Sequence, residues 1–251
     1  MIEKIHIVKK YENDKVVEYD AYFPSLRLKV EAYMDFQKSR IAFENRCRDF
    51  KDAGMLSDDD YLDFKEMLSG SEKAMEKAIA RQLKGYDVWT EYLSLIKGIG
   101  PLSAGYLLSF IGDPERFATI SKLWAYAGLG VTDGEATTYK KHGKGSNIRL
   151  KTVCWKIGEG FVKTKGKYRT AYEEFRKEDE AKHPEKIKDE KGKTRYNPGH
   201  FYIRAKRKTV KLFLAHFWMA WRQMEGLDTS EPYANAIMGH SNFVEPFVDE
   251  E

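Results

Sequence analysis

The sequence predicts a mainly α-helical fold in which a long helical hairpin, a coiled-coil-like arm, is joined to a compact set of shorter helices behind a small N-terminal β-hairpin. Three observations predict it. Apolar residues recur at helical spacing from Leu26 to Phe50 and again from Tyr61 to Leu83, with Gly54 and Ser57 between the two runs. Glycine and proline punctuation divides the chain from Tyr86 onward into shorter helical pieces. Strand-like sequence is confined to Ile5-His6-Ile7-Val8 and Val16-Val17-Glu18-Tyr19, around Tyr11-Glu12-Asn13-Asp14.

Each element follows from local chemistry. After Pro24, the residues Leu26, Val30, Tyr33, Ile41, Cys47 and Phe50 line one helical face, and Gly54 is placed to end the helix. Ser57 supplies an N-cap, and Asp58-Asp59-Asp60 an acidic first turn that suits the helix dipole. Consecutive carboxylates at a helix start do not converge, so capping rather than metal binding is their reading. The two long helices zip into an antiparallel arm or pair with a second subunit as a homodimer. The predicted units are residues 1–85 (β-hairpin and arm), 86–226 (helical domain) and 227–251 (tail).

The helical domain opens on its most informative stretch. An apolar run from Val88 to Ile96 leads to Gly98-Ile99-Gly100, whose glycines can take φ > 0, and Pro101 then starts a second apolar helix. Such a bare turn lets backbone N–H groups approach an anion, a nucleic-acid phosphate above all. It resembles the helix-hairpin-helix motif of sequence-independent DNA binders, although packed helices also meet at ordinary glycine turns. A short helix follows in Ile120–Leu129, capped by Ser121 and ended by Gly128, and then a loop or short hairpin through Thr138. A helix from near Asn147 carries Leu150, Val153, Cys154, Ile157 and Phe161, and Lys163-Thr164-Lys165-Gly166-Lys167 terminates it. Tyr168–Ala181 is another helix, Lys182–Gly199 a loop, and Phe201–Met224 the last long helix. The aromatics Phe213, Phe217, Trp218 and Trp221 read as packing rather than a cofactor box.

With 42% hydrophobic residues in 251, the chain has enough apolar mass for a sizeable core. Cys47 and Cys154 match no metal or redox spacing, and His142, His200 and His216 have no ligand pattern, so no cofactor or metal is expected. Absence of a long apolar run or a signal-like start predicts a soluble, cytoplasmic protein with no membrane partner. Abundant Lys and Glu with few Asn and Gln leans toward a hot-adapted host. The net charge of +4 conceals segregation: Tyr139–Lys211 carries 23 Lys and Arg against 9 Asp and Glu, and Lys193–Lys211 contains seven cations and no anion. A polyanion partner explains such clustering, with a solvated face as the plainer alternative.

The order of the motifs is that of a known family. Ile96-Lys97-Gly98-Ile99-Gly100-Pro101-Leu102-Ser103-Ala104, Ile111-Gly112-Asp113-Pro114-Glu115-Arg116-Phe117, Trp124-Ala125-Tyr126-Ala127-Gly128-Leu129, Ser146-Asn147-Ile148-Arg149-Leu150-Lys151 and the basic Ala205-Lys206-Arg207-Lys208 follow one another. Residues 93 to 225 thereby resemble the C-terminal domain of the Piv/MooV-type transposases and invertases, insertion-sequence enzymes that join an N-terminal DEDD domain to a C-terminal serine domain. The arm is similar in kind to that family's coiled-coil linker. Two departures stand out. Only a short hairpin precedes the arm where the family has its metal-binding DEDD domain, and from Lys122 to Gly145 there is no serine where the family's loop nucleophile is expected.

The resulting expectation is a non-enzymatic, largely sequence-independent double-stranded DNA-binding protein related to a mobile-element transposase. Gly98, Ile99 and Gly100 would offer backbone donors, with Lys140, Lys141, Lys144, Asn147, Arg149, Lys151, Arg204, Lys206, Arg207 and Lys208 completing the DNA-binding set; contacts of this kind position a duplex without reading it. Alternatives stay open. They are an active recombinase or nuclease using Thr137 or Thr138 or a catalytic partner chain, a protein that binds structured RNA, as the resembled family does, and a helical interaction module.

Overall fold

A computed structural model describes residues 5–12, 15–21, 23–132, 135–136, 146–185, 196–229 and 246–249. The expectations for Thr137, Thr138, Lys140, Lys141, His142 and Lys144, and for most of the 227–251 tail, lie outside the described residues. Strands β1 (Ile5–Glu12) and β2 (Lys15–Ala21) pair antiparallel, with Tyr11 opposite Val16.

Helices α1 (Pro24–Asp52) and α2 (Asp58–Leu83) form the arm. Gly54, at φ +68°, turns the chain between them, and Ser57 Oγ accepts the Asp60 N–H at 3.1 Å. The two helices are tied by Lys29 on Gln82 at the root, Arg40 on Glu72 midway and Lys51 on Asp58 at the tip, and Arg40 also pairs with Glu44 within α1. Burial is confined largely to the root. Leu26, Val30, Ile79 and Leu83 are fully inside, whereas Ile41, Phe50, Met55, Leu62, Phe64 and Met67 further out are exposed.

The stretch before the glycine turn differs from the expected helix. Residues Val88–Tyr92 make a single π turn and Leu93–Leu95 a 3-10 turn, because Tyr92 and Leu93, adjacent in sequence, both face the core and the backbone leaves α geometry at Tyr92. Helix α3 (Pro101–Ile111) is then buried continuously from Ala104. After a 3-10 turn at Pro114–Arg116 comes α4 (Ile120–Tyr126), whose N-cap position is Thr119; Ser121 lies inside the helix and does not cap it. Gly128, at φ +68°, follows α4, and β3 (Val131–Thr132) pairs with β4 (Glu135–Ala136).

Among the described residues three further helices follow: α5 (Ile148–Lys163), α6 (Lys167–Lys182) and α7 (Pro198–Met224). The last begins earlier than expected. Pro198 occupies the first turn, where its missing N–H is harmless, and Asn197 Oδ1 accepts the His200 N–H at 2.8 Å. The C-terminal half of α7 is the centre of the core, and its polar atoms are anchored to loops: Trp218 Nε1 donates to the Phe117 carbonyl at 2.7 Å and Arg222 to the Pro114 carbonyl at 3.0 Å. The root of the arm belongs to the same apolar cluster, with Phe23 stacked on Trp221. No helix among the described residues is long and apolar enough to cross a membrane.

Arm and domain meet at a bare glycine. A Cβ on Gly105 of α3 would lie 2.7 Å from Ile79 Cγ2, a branched methyl that cannot swing away. Helix propensity favours Gly105→Ala by about 1 kcal/mol, while overpacking costs about 1–3 kcal/mol. Gly105→Ala is therefore expected to destabilise the protein, and to stabilise it in an Ile79→Ala background where the methyl is gone. Urea unfolding of the four proteins checks this reversal of sign.

Candidate nucleic-acid interface

The glycine turn is asymmetric. Gly98 has φ +103°, as its residue type allows, but Gly100 has φ −98° and ψ 170°, an extended conformation open to any residue. The expectation of two left-handed glycines is thus corrected: Gly100 is the residue before α3, and Pro101 needs an extended predecessor. Ile99 is buried, its N–H bonded to the Ile96 carbonyl at 3.1 Å. Gly98 faces inward and Gly100 outward. A Cβ on Gly98 would meet Thr164, Phe161 and Gly160 of the α5 end, whereas one on Gly100 would meet nothing within 4 Å.

That packing brings a second bare segment to the turn. The residue preceding α6 is Gly166, which has no side chain to cap the helix. The carboxylate of Asp249 performs the task for both segments, Oδ2 accepting the Lys97 N–H and Oδ1 the Lys167 N–H, each at 2.7 Å. Lys97, Lys163, Lys165 and Lys167 around it are exposed, while Arg169 is engaged by Glu173 at 2.6 Å. None of these lysines is among the residues singled out from sequence. Their signal was visible in Lys163-Thr164-Lys165-Gly166-Lys167, which reads as a helix terminator and is also a cluster of cations.

Further along α5, Asn147 is a structural cap, accepting the Leu150 N–H and donating to the Tyr126 hydroxyl, both at 3.0 Å. Arg149, Lys156 and Lys163 are exposed and seven residues apart, which aligns them on one helical face over about 21 Å. Arg149 also stands 3.8 Å from Glu31 of the arm, a loose pair between exposed side chains that leaves the guanidinium open to solvent. Lys151 is exposed too, its methylenes lying over Gly128.

The cations of α7 are placed differently. Lys206 has no exposed surface; its ammonium is bound by Glu159 and stands 3.0 Å from the centre of the Trp155 ring. Burial pushes the Lys206 pKa down, and Lys206, followed by Tyr202, holds the Glu159 carboxyl below its ordinary range. Arg204 and Lys208 share Asp179, a residue 1% exposed, at 2.6 and 3.2 Å. Arg207 donates to the Gly130 carbonyl at 2.8 Å, and burial lowers its pKa. This run of cations is where α7 packs on α5 and α6. Among the described residues no cluster of three or more His, Cys, Asp or Glu converges as a metal site.

Residues 90–171, about one third of the chain, match the family model of the transposase IS116/IS110/IS902 family. The matched segment holds the glycine turn, α3, α4, all of α5 and the start of α6, and it marks a relationship to mobile-element transposases. None of the curated proteins matches the chain.

Lys206→Ala empties the space beside Gly158, while the Glu159 it leaves is about a third exposed and keeps Tyr202, so the expected cost is that of a large-to-small core change, about 2–5 kcal/mol. Lys206→Met keeps the stem volume and is expected to lose less. Urea denaturation ranks the two variants, and equal stability of Lys206→Ala and the parent would show that the pair does not hold α5 to α7.

Proposed function

We propose that the protein binds double-stranded DNA chiefly through its phosphates, as a transposase-related scaffold that does not itself cut DNA. One observation carries the reading: within the transposase-related segment, Arg149, Lys156 and Lys163 form an exposed cationic stripe along α5. A straight row of cations fits a polyanion, and phosphate contacts position a duplex without base readout. Lys151 lies on the opposite side of α5, over Gly128, and is a separate member of the proposed set, while Gly100 leaves the start of α3 open. Arg204, Arg207 and Lys208 border the same domain but are held by Asp179 and Gly130, so their share in binding is secondary. Lys140, Lys141 and Lys144 precede α5 in sequence and belong to the proposed set on charge alone. We further propose that the arm pairs with a second copy, since its outer half exposes Ile41, Leu62 and Met67.

The non-enzymatic part rests on the missing serine between Lys122 and Gly145, because strand transfer of the resembled type needs a nucleophile that attacks phosphorus. Supercoiled plasmid with magnesium or manganese is expected to stay uncut, with no covalent protein adduct. Nicking that disappears in Thr137→Ala or Thr138→Ala would reverse that conclusion.

Binding is tested by fluorescence anisotropy with duplex DNA, single strands and structured RNA over a salt series. Duplex affinity is expected to fall steeply with salt, and Arg149→Ala/Lys156→Ala/Lys163→Ala to flatten the slope of log K against log[salt] by about 0.9 for each phosphate that is no longer neutralised. The variant should fold normally, as all three side chains are exposed. Tighter binding of structured RNA than of duplex would assign the stripe to RNA, and an unchanged slope would remove it from the binding surface.

A further inference from the structure

The Asp249 carboxylate sits in a place built for an oxyanion. Its two oxygens accept N–H groups from separate segments, the 97 turn and the first residue of α6, at equal distances of 2.7 Å. The Lys167 N–H is a first-turn donor that the helix itself does not satisfy, and the α6 dipole adds favourable potential for negative charge. Space at the site depends on Gly166. Its φ of −150° and ψ of 177° suit any residue, so the backbone does not require glycine there. Room does: a Cβ would lie 2.9 and 3.0 Å from the two Asp249 oxygens and 2.9 Å from Lys97 Cβ.

We propose that this cleft is a phosphate site for a nucleic-acid backbone, and that Asp249 occupies it as an internal stand-in which the backbone displaces. The inference rests on the nucleic-acid reading above. A phosphodiester, like a carboxylate, presents two equivalent charged oxygens, and can take both N–H groups in the same way. The rim favours the stronger polyanion: Val162, Thr164 and the exposed Lys163, Lys165 and Lys167 line a groove of about 680 Å³ around Asp249. A purely structural cap has no need of three lysines. Among the described residues the 246–249 segment is held by the Asp249 N–H on the Leu95 carbonyl at 3.1 Å and by Phe247, packed on the core against the Tyr168 and His216 rings at 5.1 and 4.9 Å, while Val248 is 37% exposed. Seating of the tail lowers apparent affinity by the fraction of molecules whose site is free, about tenfold for a tail seated in about nine molecules of ten.

Two measurements test this. In thermal melting, Asp249→Ala is expected to lose stability in chloride and to regain it with inorganic phosphate at matched ionic strength; adding Gly166→Ala is expected to abolish the rescue. Phosphate that stabilises Asp249→Ala no more than the parent would overturn the site and leave Asp249 a structural cap. In duplex-DNA anisotropy, Asp249→Ala and the charge-conserving Phe247→Ala are both expected to bind severalfold more tightly than the parent. Parental affinity in Phe247→Ala, with melting confirming that it is folded, would overturn the competition. Failure of every protein to bind duplex would instead overturn the nucleic-acid reading, and the phosphate measurement would still decide the site.

Discussion

A carbonyl pressed against a glycine is the contact on which the candidate interface depends. Gly98 O lies 2.7 Å from where a Cβ of Gly160 would be, and Gly98 in turn admits no side chain against Thr164 and Phe161. The left-handed φ of Gly98 bends the chain there, and the missing Cβ of Gly160 lets the turn touch helix α5. Thr164 Oγ1 caps the end of that helix by donating to the Gly160 carbonyl at 2.8 Å, so the chain leaves α5 directly beneath the turn. The start of α6 is thereby carried beside Lys97. Two segments whose N–H groups share the Asp249 carboxylate, separated widely in sequence, meet because two backbones can approach without side chains between them.

The fold was legible in the sequence wherever one residue type has one physical use. Ser57 before three aspartates, Gly54 and Gly128 after apolar runs, and Asn147 before Leu150 all stand where local hydrogen bonding or φ > 0 requires them. Other boundaries were set by tertiary burial, which no local rule expresses. Tyr92 and Leu93 are both drawn inside at the expense of α geometry, and Thr119 takes the start of α4 from Ser121 although its side chain makes no capping bond. Pro198 marks a helix start as readily as a loop. Only its neighbour Asn197, with His200 three residues on, tells the two apart.

The site was less legible because charge counts do not show where a charge points. The stripe of Arg149, Lys156 and Lys163 was present as a seven-residue period, yet Lys206-Arg207-Lys208 drew more weight through sheer density. Density does not report exposure, because α7 is amphipathic about an ionic seam. Its cations meet Glu159 from α5 and Asp179 from α6, residues counted elsewhere in the chain as unrelated anions. Asp249 lay beyond local reasoning altogether, since its partners are at positions 97 and 167.

Within α7 the cations are of two physical kinds, and the difference bears on the field around the domain. Arg204, Lys206 and Lys208 face two carboxylates within contact distance, so two of their three charges are balanced locally and one remains. Arg207 and Lys211 are held otherwise, Arg207 by the Gly130 carbonyl and Lys211 at 4.0 Å from the centre of the Trp124 ring. Burial lowers both of their pKa values, the desolvation of a cation that a dipole or a ring offsets only in part. A cation stabilised by a dipole keeps its net charge. Arg207 therefore keeps its positive charge beside Gly130, where the chain enters β3. Arg207 and Lys211 are thus half-buried charges held by a dipole and a ring, whereas Arg149, Lys156 and Lys163 of α5 stand exposed at the surface.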